Sequence, residues 1–165
     1  MRALVAVLAV SIAGSALAAE DDAGCTKFAW PLTSERGQLA APDKPVLDPG
    51  AELSARPSGA VSMRLQPASQ VTFAHPPERA SAGHGGYVTI KSLGGAGLYQ
   101  VTLSHDAWLD MIQNGQFARS AGSSGRRDCP GLRKSVRFHL QATPAVIQVS
   151  GVEGSDIAIV IGKVE

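Results

Sequence analysis

The chain has 165 residues, of which 44% are hydrophobic and 5% aromatic, and its 15 basic and 14 acidic residues give a formal net charge of +1. This length fits one domain with its own hydrophobic core. The near-neutral charge argues against a general nucleic-acid-binding protein, which needs a marked excess of basic residues.

Residues 1–18 are predicted to be a secretory signal peptide. Arg2 precedes an apolar run from Ala3 to Ala13, and Ala16-Leu17-Ala18 has the small-x-small pattern of a cleavage site. The run is shorter than the about 20 apolar residues of a spanning helix, so we expect no transmembrane segment. Cleavage removes Arg2 and leaves 14 basic and 14 acidic residues. We therefore expect a neutral protein that is periplasmic or secreted.

The chain contains two cysteines, Cys25 and Cys129. An even number of cysteines in an exported protein is most simply explained by a disulfide. Neither cysteine has a second ligand at a spacing typical of zinc sites. A bond between them closes a loop of about 100 residues and, in the chain-entropy model, removes roughly 4–5 kcal/mol of conformational freedom from the unfolded chain. We predict a Cys25–Cys129 disulfide on this basis.

The N-terminal part of the mature chain is predicted to contain one short helix. The helix lies within residues 25–41, where Thr33 or Ser34 can cap its start and Pro42 ends it. Residues 43–57 are rich in proline and predict an extended connector.

From residue 58 onward, apolar and polar residues alternate with the period of two that is typical of half-buried strands. Asn114-Gly115 is a strong hairpin signal. Two other stretches predict loops: HPPERASAGHGG (75–86), which we expect to be mobile, and the glycine-serine piece SAGSSG (120–125). The last strand is apolar on both faces and should be central in its sheet. The predicted strands are VSMRL (61–65), QVTFA (70–74), YVTIKSL (87–93), LYQVTLS (98–104), AWLDMI (107–112), QFARS (116–120), LRKSVRFHL (132–140), AVIQVSG (145–151) and DIAIVIGKV (156–164).

These elements predict an all-β protein with about nine strands and one short N-terminal helix. An antiparallel two-sheet β-sandwich, jelly-roll-like, buries so many one-sided strands most simply. The predicted organisation is the signal peptide at 1–18, the helix and connector at 19–57, and the β-sandwich domain at 58–165. We expect a monomer.

Residues 98–162 contain, in order, LYQVTLSHDAWLDMI, CPGLRKSVRFHL and VIQVSGVEGSDIAIVIG. This order of strands resembles the bacterial pre-peptidase C-terminal domains, which are small β-sandwich modules. The chain also resembles small exported proteobacterial proteins that carry a KFAWPL start. The first resemblance implies an accessory or binding module without catalytic activity, because such domains accompany secreted enzymes.

No catalytic signature occurs, and a histidine metal site is the enzymatic alternative. An iron or zinc site needs two or three converging histidines, usually with a carboxylate. The best set is His75, His84 and His105 with Asp106 or Asp110, since loops from separate strands can meet at one end of a sandwich. A small dioxygenase-like metal enzyme is thus an alternative to a non-catalytic protein. Solvated loop histidines are the simpler explanation, and we expect no cofactor.

A cluster of basic residues is the sharpest functional signal. On the strand 132–140, alternation places Arg133 and Arg137 opposite the core-facing Val136. Arginine forks bind phosphate and carboxylate groups with two hydrogen bonds, so such a row suits an anionic ligand. A solvated face that discourages edge pairing is the alternative. Arg119 lies nearby, and the predicted ligand-binding set is Arg126, Arg127, Arg133, Lys134, Arg137 and His139.

Aromatic residues are few. Trp108, Tyr99 and Tyr87 could form a sugar-stacking platform, although Tyr99 shares its phase with core residues and is expected to be buried. The function expected from the sequence is an exported, non-catalytic binding or accessory module whose partner is an anionic polysaccharide or another envelope component. A metal-dependent enzyme and a structural envelope partner are the alternatives.

Overall fold

The computed structural model describes residues 24–79 and 82–164. The predicted signal peptide lies outside the described residues. Among the described residues, no helix is long and apolar enough to span a membrane.

The described residues form one α-helix, one 3₁₀ turn and twelve strands. The helix α1 spans Thr33–Ala40, and the 3₁₀ turn spans Ala68–Gln70. The strands are β1 (Val46–Leu47), β2 (Ala51–Leu53), β3 (Val61–Arg64), β4 (Gln66–Pro67), β5 (His84–Ile90), β6 (Gly97–Leu103), β7 (Trp108–Gln113), β8 (Gln116–Phe117), β9 (Ser120–Gly125), β10 (Lys134–Leu140), β11 (Ala145–Val152) and β12 (Asp156–Lys163).

The strands form two six-stranded sheets that pack as a sandwich. Sheet A has the order β1-β3-β12-β6-β10-β9, and sheet B has the order β2-β5-β11-β7-β8 with β4 also paired to β5. The predicted all-β sandwich with a short helix is confirmed, and β12 is central as expected. The sheets are mixed rather than purely antiparallel, because β1 and β2 pair in parallel with β3 and β5. Both short strands come from the proline-rich connector, which runs along one edge of each sheet.

Eight of the strands have jelly-roll topology. The antiparallel pairs β3·β12, β5·β11, β6·β10 and β7·β8 are nested in sequence, so the first strand pairs with the last. The innermost pair turns at Asn114 and Gly115, whose φ angles of 51° and 73° are those of a two-residue hairpin turn. The predicted hairpin is therefore confirmed.

The main core lies between the sheets. Met63, Val101 and Ile157 are fully buried there and represent three neighbouring strands of sheet A. Tyr99 is also fully buried, and its hydroxyl donates to the carbonyl oxygens of Leu93 (3.0 Å) and Gly95 (2.6 Å). The expectation that Tyr99 packs in the core is confirmed.

A second apolar cluster covers the outer face of sheet A. Phe28, Leu32 and Leu39 of the N-terminal segment pack against Ala158 and Val160 of β12. The predicted disulfide joins this segment to the chain just before β10, with Cys25 and Cys129 bonded to each other. The segment is therefore attached to the sandwich both covalently and by apolar packing.

The helix lies in the C-terminal half of the predicted stretch 25–41, and its cap is different from the predicted one. Leu32 occupies the N-cap position, and no side chain caps the helix. Thr33 and Ser34 lie inside the first turn, where the Ser34 hydroxyl accepts a hydrogen bond from Gln38 Nε2 (3.2 Å). The prediction of Thr33 or Ser34 as the cap is wrong, because the burial of Leu32 fixes where the helix starts.

Three local predictions differ from the structure. The predicted strand 70–74 is not formed: Gln70 ends the 3₁₀ turn, and residues 71–74 belong to no strand. The nearby strand β5 has no free edge for them, because it pairs with β11 on one side and with β2 and β4 on the other. The predicted loop 75–86 ends earlier, since β5 begins at His84. Gly85 lies in this strand, and a Cβ there would come within 2.8 Å of the Val149 carbonyl oxygen, so the close approach of the two chains requires glycine. SAGSSG is strand β9 rather than a flexible loop, since pairing with β10 overrides its low strand propensity.

We expect the double variant Cys25→Ser, Cys129→Ser to unfold with a free energy about 2–5 kcal/mol lower than the oxidised protein, because the open chain gains conformational freedom. Urea denaturation measures this difference. Wild-type protein kept reduced should match the variant, and mass spectrometry of oxidised protein should show no thiol at either position. Equal denaturation midpoints for the oxidised protein and the variant would contradict this role of the disulfide.

Candidate functional site

The predicted basic set does not form one surface. Along β10, Lys134 lies on the inner side of sheet A with Val136 and Phe138, whereas Arg137 and His139 lie on the outer side. Arg137 contacts the N-terminal segment, and His139 is exposed. Neighbouring charges in the sequence are thus divided between two faces of one strand.

Arg137 is used to hold the N-terminal segment in place. Its guanidinium carbon lies 4.1 Å from the centroid of the Trp30 ring, a cation–π contact. Its Nε donates to Gln100 Oε1 (3.0 Å), and Gln100 Nε2 donates to Glu35 Oε1 (2.8 Å) of α1. Arg137 is therefore a structural residue in this fold.

The arginines before β10 are also separated. Arg126 makes two hydrogen bonds to Asp128, from Nε (2.9 Å) and Nη2 (2.7 Å). These bonds lower the pKa of Asp128 and raise the pKa of Arg126. Arg127 and Arg133 instead line a pocket at one end of the sandwich. The basic face predicted from the sequence is not assembled.

The histidine set is not assembled either. His75 makes an edge contact with Phe117, with ring centroids 6.1 Å apart. His84 belongs to β5, and His105 Nδ1 is hydrogen-bonded to the hydroxyl of Ser104 (2.8 Å). Across residues 24–79 and 82–164, no three His, Cys, Asp or Glu side chains form a group that could hold a metal ion. His75, His84, His105 and the carboxylates proposed with them therefore do not converge.

The structure instead brings aromatic, basic and hydroxyl side chains together in a cleft between the sheets, at the edge where β7 and β8 face β9 and β10. This inter-sheet cleft has a volume of about 370 Å³, within the range of small-ligand sites. Its wall is formed by apolar side chains of Trp108, Leu109, Phe117, Ala118, Val136 and Phe138. Its polar lining is formed by Glu78, Arg119, Ser120, Ser123 and Lys134.

A β-bulge orients the serines of β9. Ser123 pairs with Val136 and Ser120 pairs with Phe138, although the serines are three residues apart, because the register shifts between Arg137 and Phe138. Both serines consequently line the inter-sheet cleft. On the other side of β9, the hydroxyl of Ser124 accepts a hydrogen bond from the backbone of the N-terminal segment (2.9 Å).

Lys134 is the partly buried cation of the cleft. Its ammonium donates to the Ala107 carbonyl oxygen (2.9 Å) and lies 5.4 Å from the centroid of the Trp108 ring. Burial lowers the pKa of Lys134, and the charge of Arg79 lowers it further, whereas the carboxylates of Asp106 and Asp110 oppose this shift. The lysine is therefore held beside an aromatic ring in a partly desolvated position.

Asp110 fixes the orientation of Trp108. This carboxylate is 3% exposed, and its Oδ1 accepts a hydrogen bond from Trp108 Nε1 (2.6 Å). Its Oδ2 accepts from Gln148 Nε2 (3.3 Å) and from the backbone N–H of Glu78 (3.2 Å). Arg79 then packs 4.2 Å from the centroid of the Trp108 ring. The segment before residue 80, predicted as a mobile loop, is thus attached to β7 beside the inter-sheet cleft, which Glu78 also lines.

The sequence pointed to part of this cleft. The sequence predicts Trp108 as part of a sugar-stacking platform and Lys134 as part of a basic ligand-binding set, but it does not place the two in one site. Phe117, Ser120 and Ser123 were not identified. Their positions depend on the hairpin after β7 and on the bulge in β9, and the bulge has no signature in the sequence.

No family model and no curated protein matches the chain. Among solved structures, a β-glucosidase from Paenibacillus barengoltzii is similar with a TM-score of 0.28 and 10% identity. The similarity covers 73% of this chain and 13% of that enzyme. A likeness at this level carries no argument about the function, and the resemblance to pre-peptidase C-terminal domains stays a prediction.

We expect Asp110→Ala to lower the free energy of unfolding by about 1–3 kcal/mol, because it leaves the buried donor of Gln148 and the partly buried donor of Trp108 without an acceptor. Urea denaturation followed by tryptophan fluorescence measures the loss. The control, Asp106→Ala, removes an exposed carboxylate and should change the free energy by less than about 0.5 kcal/mol. Equal effects of the two variants would contradict the bracing role of Asp110.

Proposed function

We propose that this protein is a non-catalytic binding module and that the inter-sheet cleft holds an acidic sugar residue of an anionic envelope glycan. The observation that carries this proposal is the position of Lys134. Its ammonium is partly buried beside the Trp108 ring, in a cleft that also presents Arg119 and two serine hydroxyls.

A sugar acid has the chemistry that this lining would recognise. Its C–H faces can pack on Phe117 and the other apolar side chains of the wall, and its hydroxyls can bond with Ser120 and Ser123. Its carboxylate can pair with Lys134, whose attraction for an anion is strengthened by partial removal from water. A volume of about 370 Å³ lies near the lower end of ligand sites and suits about one or two sugar residues.

The lining of the cleft favours binding over hydrolysis. Glycoside hydrolysis generally uses two carboxyl groups on either side of the scissile bond. Within the described residues, Glu78 is the single carboxylate that lines the cleft. The two serines lie on an edge strand rather than on the rigid turn that carries a nucleophilic serine.

We further propose that the protein acts as a monomer in the periplasm or outside the cell. The disulfide between Cys25 and Cys129 supports this location, because such bonds persist in oxidising compartments. An envelope glycan rich in uronic acids would be accessible there.

We expect trigalacturonate to bind and its methyl ester, which lacks the charges, to bind at least about 10-fold more weakly. Lys134→Met should weaken trigalacturonate binding by about 10- to 100-fold, because a hydrogen bond to a charged group is lost. Isothermal titration calorimetry measures both effects. The control Lys91→Met removes an exposed lysine that pairs with Glu52 and should leave the affinity unchanged.

The pH dependence provides a separate readout. Binding of the carboxylate needs the charged form of Lys134, so the affinity should fall as the pH rises through the pKa of this lysine. Because burial lowers that pKa, the fall should begin below the range of an ordinary exposed lysine. Lys134→Met should remove this pH dependence. Absence of trigalacturonate binding, or equal affinity for the ester, would overturn the proposed function.

A further inference from the structure

A second pocket lies at one end of the sandwich, outside the inter-sheet cleft, and has a volume of about 330 Å³. We refer to it as the end pocket. Its residues come from three places: the loop after β6, the chain leading into β10, and the end of β11 with the turn that follows. The lining residues are His105, Asp106, Arg127, Arg133, Gly151 and Glu153.

The charges around the end pocket balance, but they do not neutralise one another by direct contact. Arg127 and Arg133 supply two cations, and Asp106 and Glu153 supply two carboxylates. None of the ion pairs found among the described residues joins these four side chains. The neighbouring Arg126, by contrast, is closely paired with a carboxylate at 2.7 Å. The end pocket is therefore lined by charges of both signs that form no ion pair with one another.

Arg133 carries a donor that lacks an acceptor. Its backbone is fixed, because the N–H donates to the Leu103 carbonyl oxygen (2.9 Å) and the carbonyl oxygen accepts from the N–H of Arg126 (2.9 Å). Its Nη1 atom is shielded from solvent and has no hydrogen-bond partner in the described structure. A shielded donor without a partner is unfavourable. Because Arg133 also lines the end pocket, a small rotation of its guanidinium toward a ligand acceptor in that pocket would be favourable.

We propose that the end pocket binds a small zwitterion, such as a free amino acid or a short peptide. The ligand carboxylate accepts hydrogen bonds from Arg133 and Arg127, which match it as planar forks. The ligand ammonium pairs with the carboxylates of Asp106 and Glu153. A simple anion would meet these two carboxylates, and a simple cation would meet the two arginines, so a molecule with both charges is the best match.

This inference is independent of the proposed function, because it concerns a different pocket. The probes are L-leucine and the dipeptide Leu-Leu, which separate a free amino acid from a peptide by the distance between their charges. N-acetyl-leucine lacks the ammonium, leucinamide lacks the carboxylate, and inorganic phosphate tests a simple anion site. NMR titration of the whole protein should show binding of leucine or the dipeptide. Each singly charged analogue and phosphate should bind at least about 10-fold more weakly.

Variants test which side chains of the end pocket bind the carboxylate of the ligand and which bind its ammonium. Arg133→Met should weaken binding of the zwitterion about 10-fold or more and leave the weak binding of leucinamide unchanged. Glu153→Gln should weaken binding of the zwitterion but not of N-acetyl-leucine. The control Arg126→Met removes a nearby arginine that is paired with Asp128, and it should leave the affinity unchanged. Binding of N-acetyl-leucine or phosphate as tight as that of the zwitterion, equal affinities of all variants, or no binding at all would overturn the inference.

Discussion

The pairing of β10 with β6 on one side and β9 on the other determines on which face each candidate ligand-binding side chain lies. On one side, β10 pairs with β6 in continuous register, from Lys134 opposite Leu103 to Leu140 opposite Gly97. On the other side its pairing with β9 shifts by one residue at a bulge. Because side chains alternate along a strand, this register sends one set toward the inter-sheet cleft and the other toward the N-terminal segment. A slip of one residue would exchange the two sets.

Those features of the fold that depend on local sequence were predictable. The period-two pattern identified the long strands, and Asn114-Gly115 identified the hairpin, because both signals lie within a few residues of the structure that they specify. The strand nature of β9 was not predictable in this way. Its serines and glycines favour loops, and it is a strand only because β10 offers a partner. The parallel pairing of the connector is likewise set by residues far away in the sequence.

The basic cluster shows why a candidate site is harder to predict than a fold. Residues 133 and 134 are neighbours, yet Arg133 lines the end pocket and Lys134 lines the inter-sheet cleft. Arg137 should have shared a surface with Arg133, but Trp30 of the N-terminal segment packs on it. Density of charge along the sequence says little about the face that each residue occupies or about what covers that face.

The partners of each cation decide whether it can serve a ligand. Arg126 already has a carboxylate, and Arg137 already has an aromatic ring and an amide, so a ligand would have to displace these contacts. Arg133 has a shielded Nη1 without an acceptor. Lys134 is partly desolvated at the edge of the cleft, where its ammonium donates a hydrogen bond to one carbonyl oxygen. Binding an anion costs least where the cation is already partly desolvated and incompletely bonded. Arg133 and Lys134 both meet this condition and line separate pockets, so the two proposed ligands would not compete for the same charge.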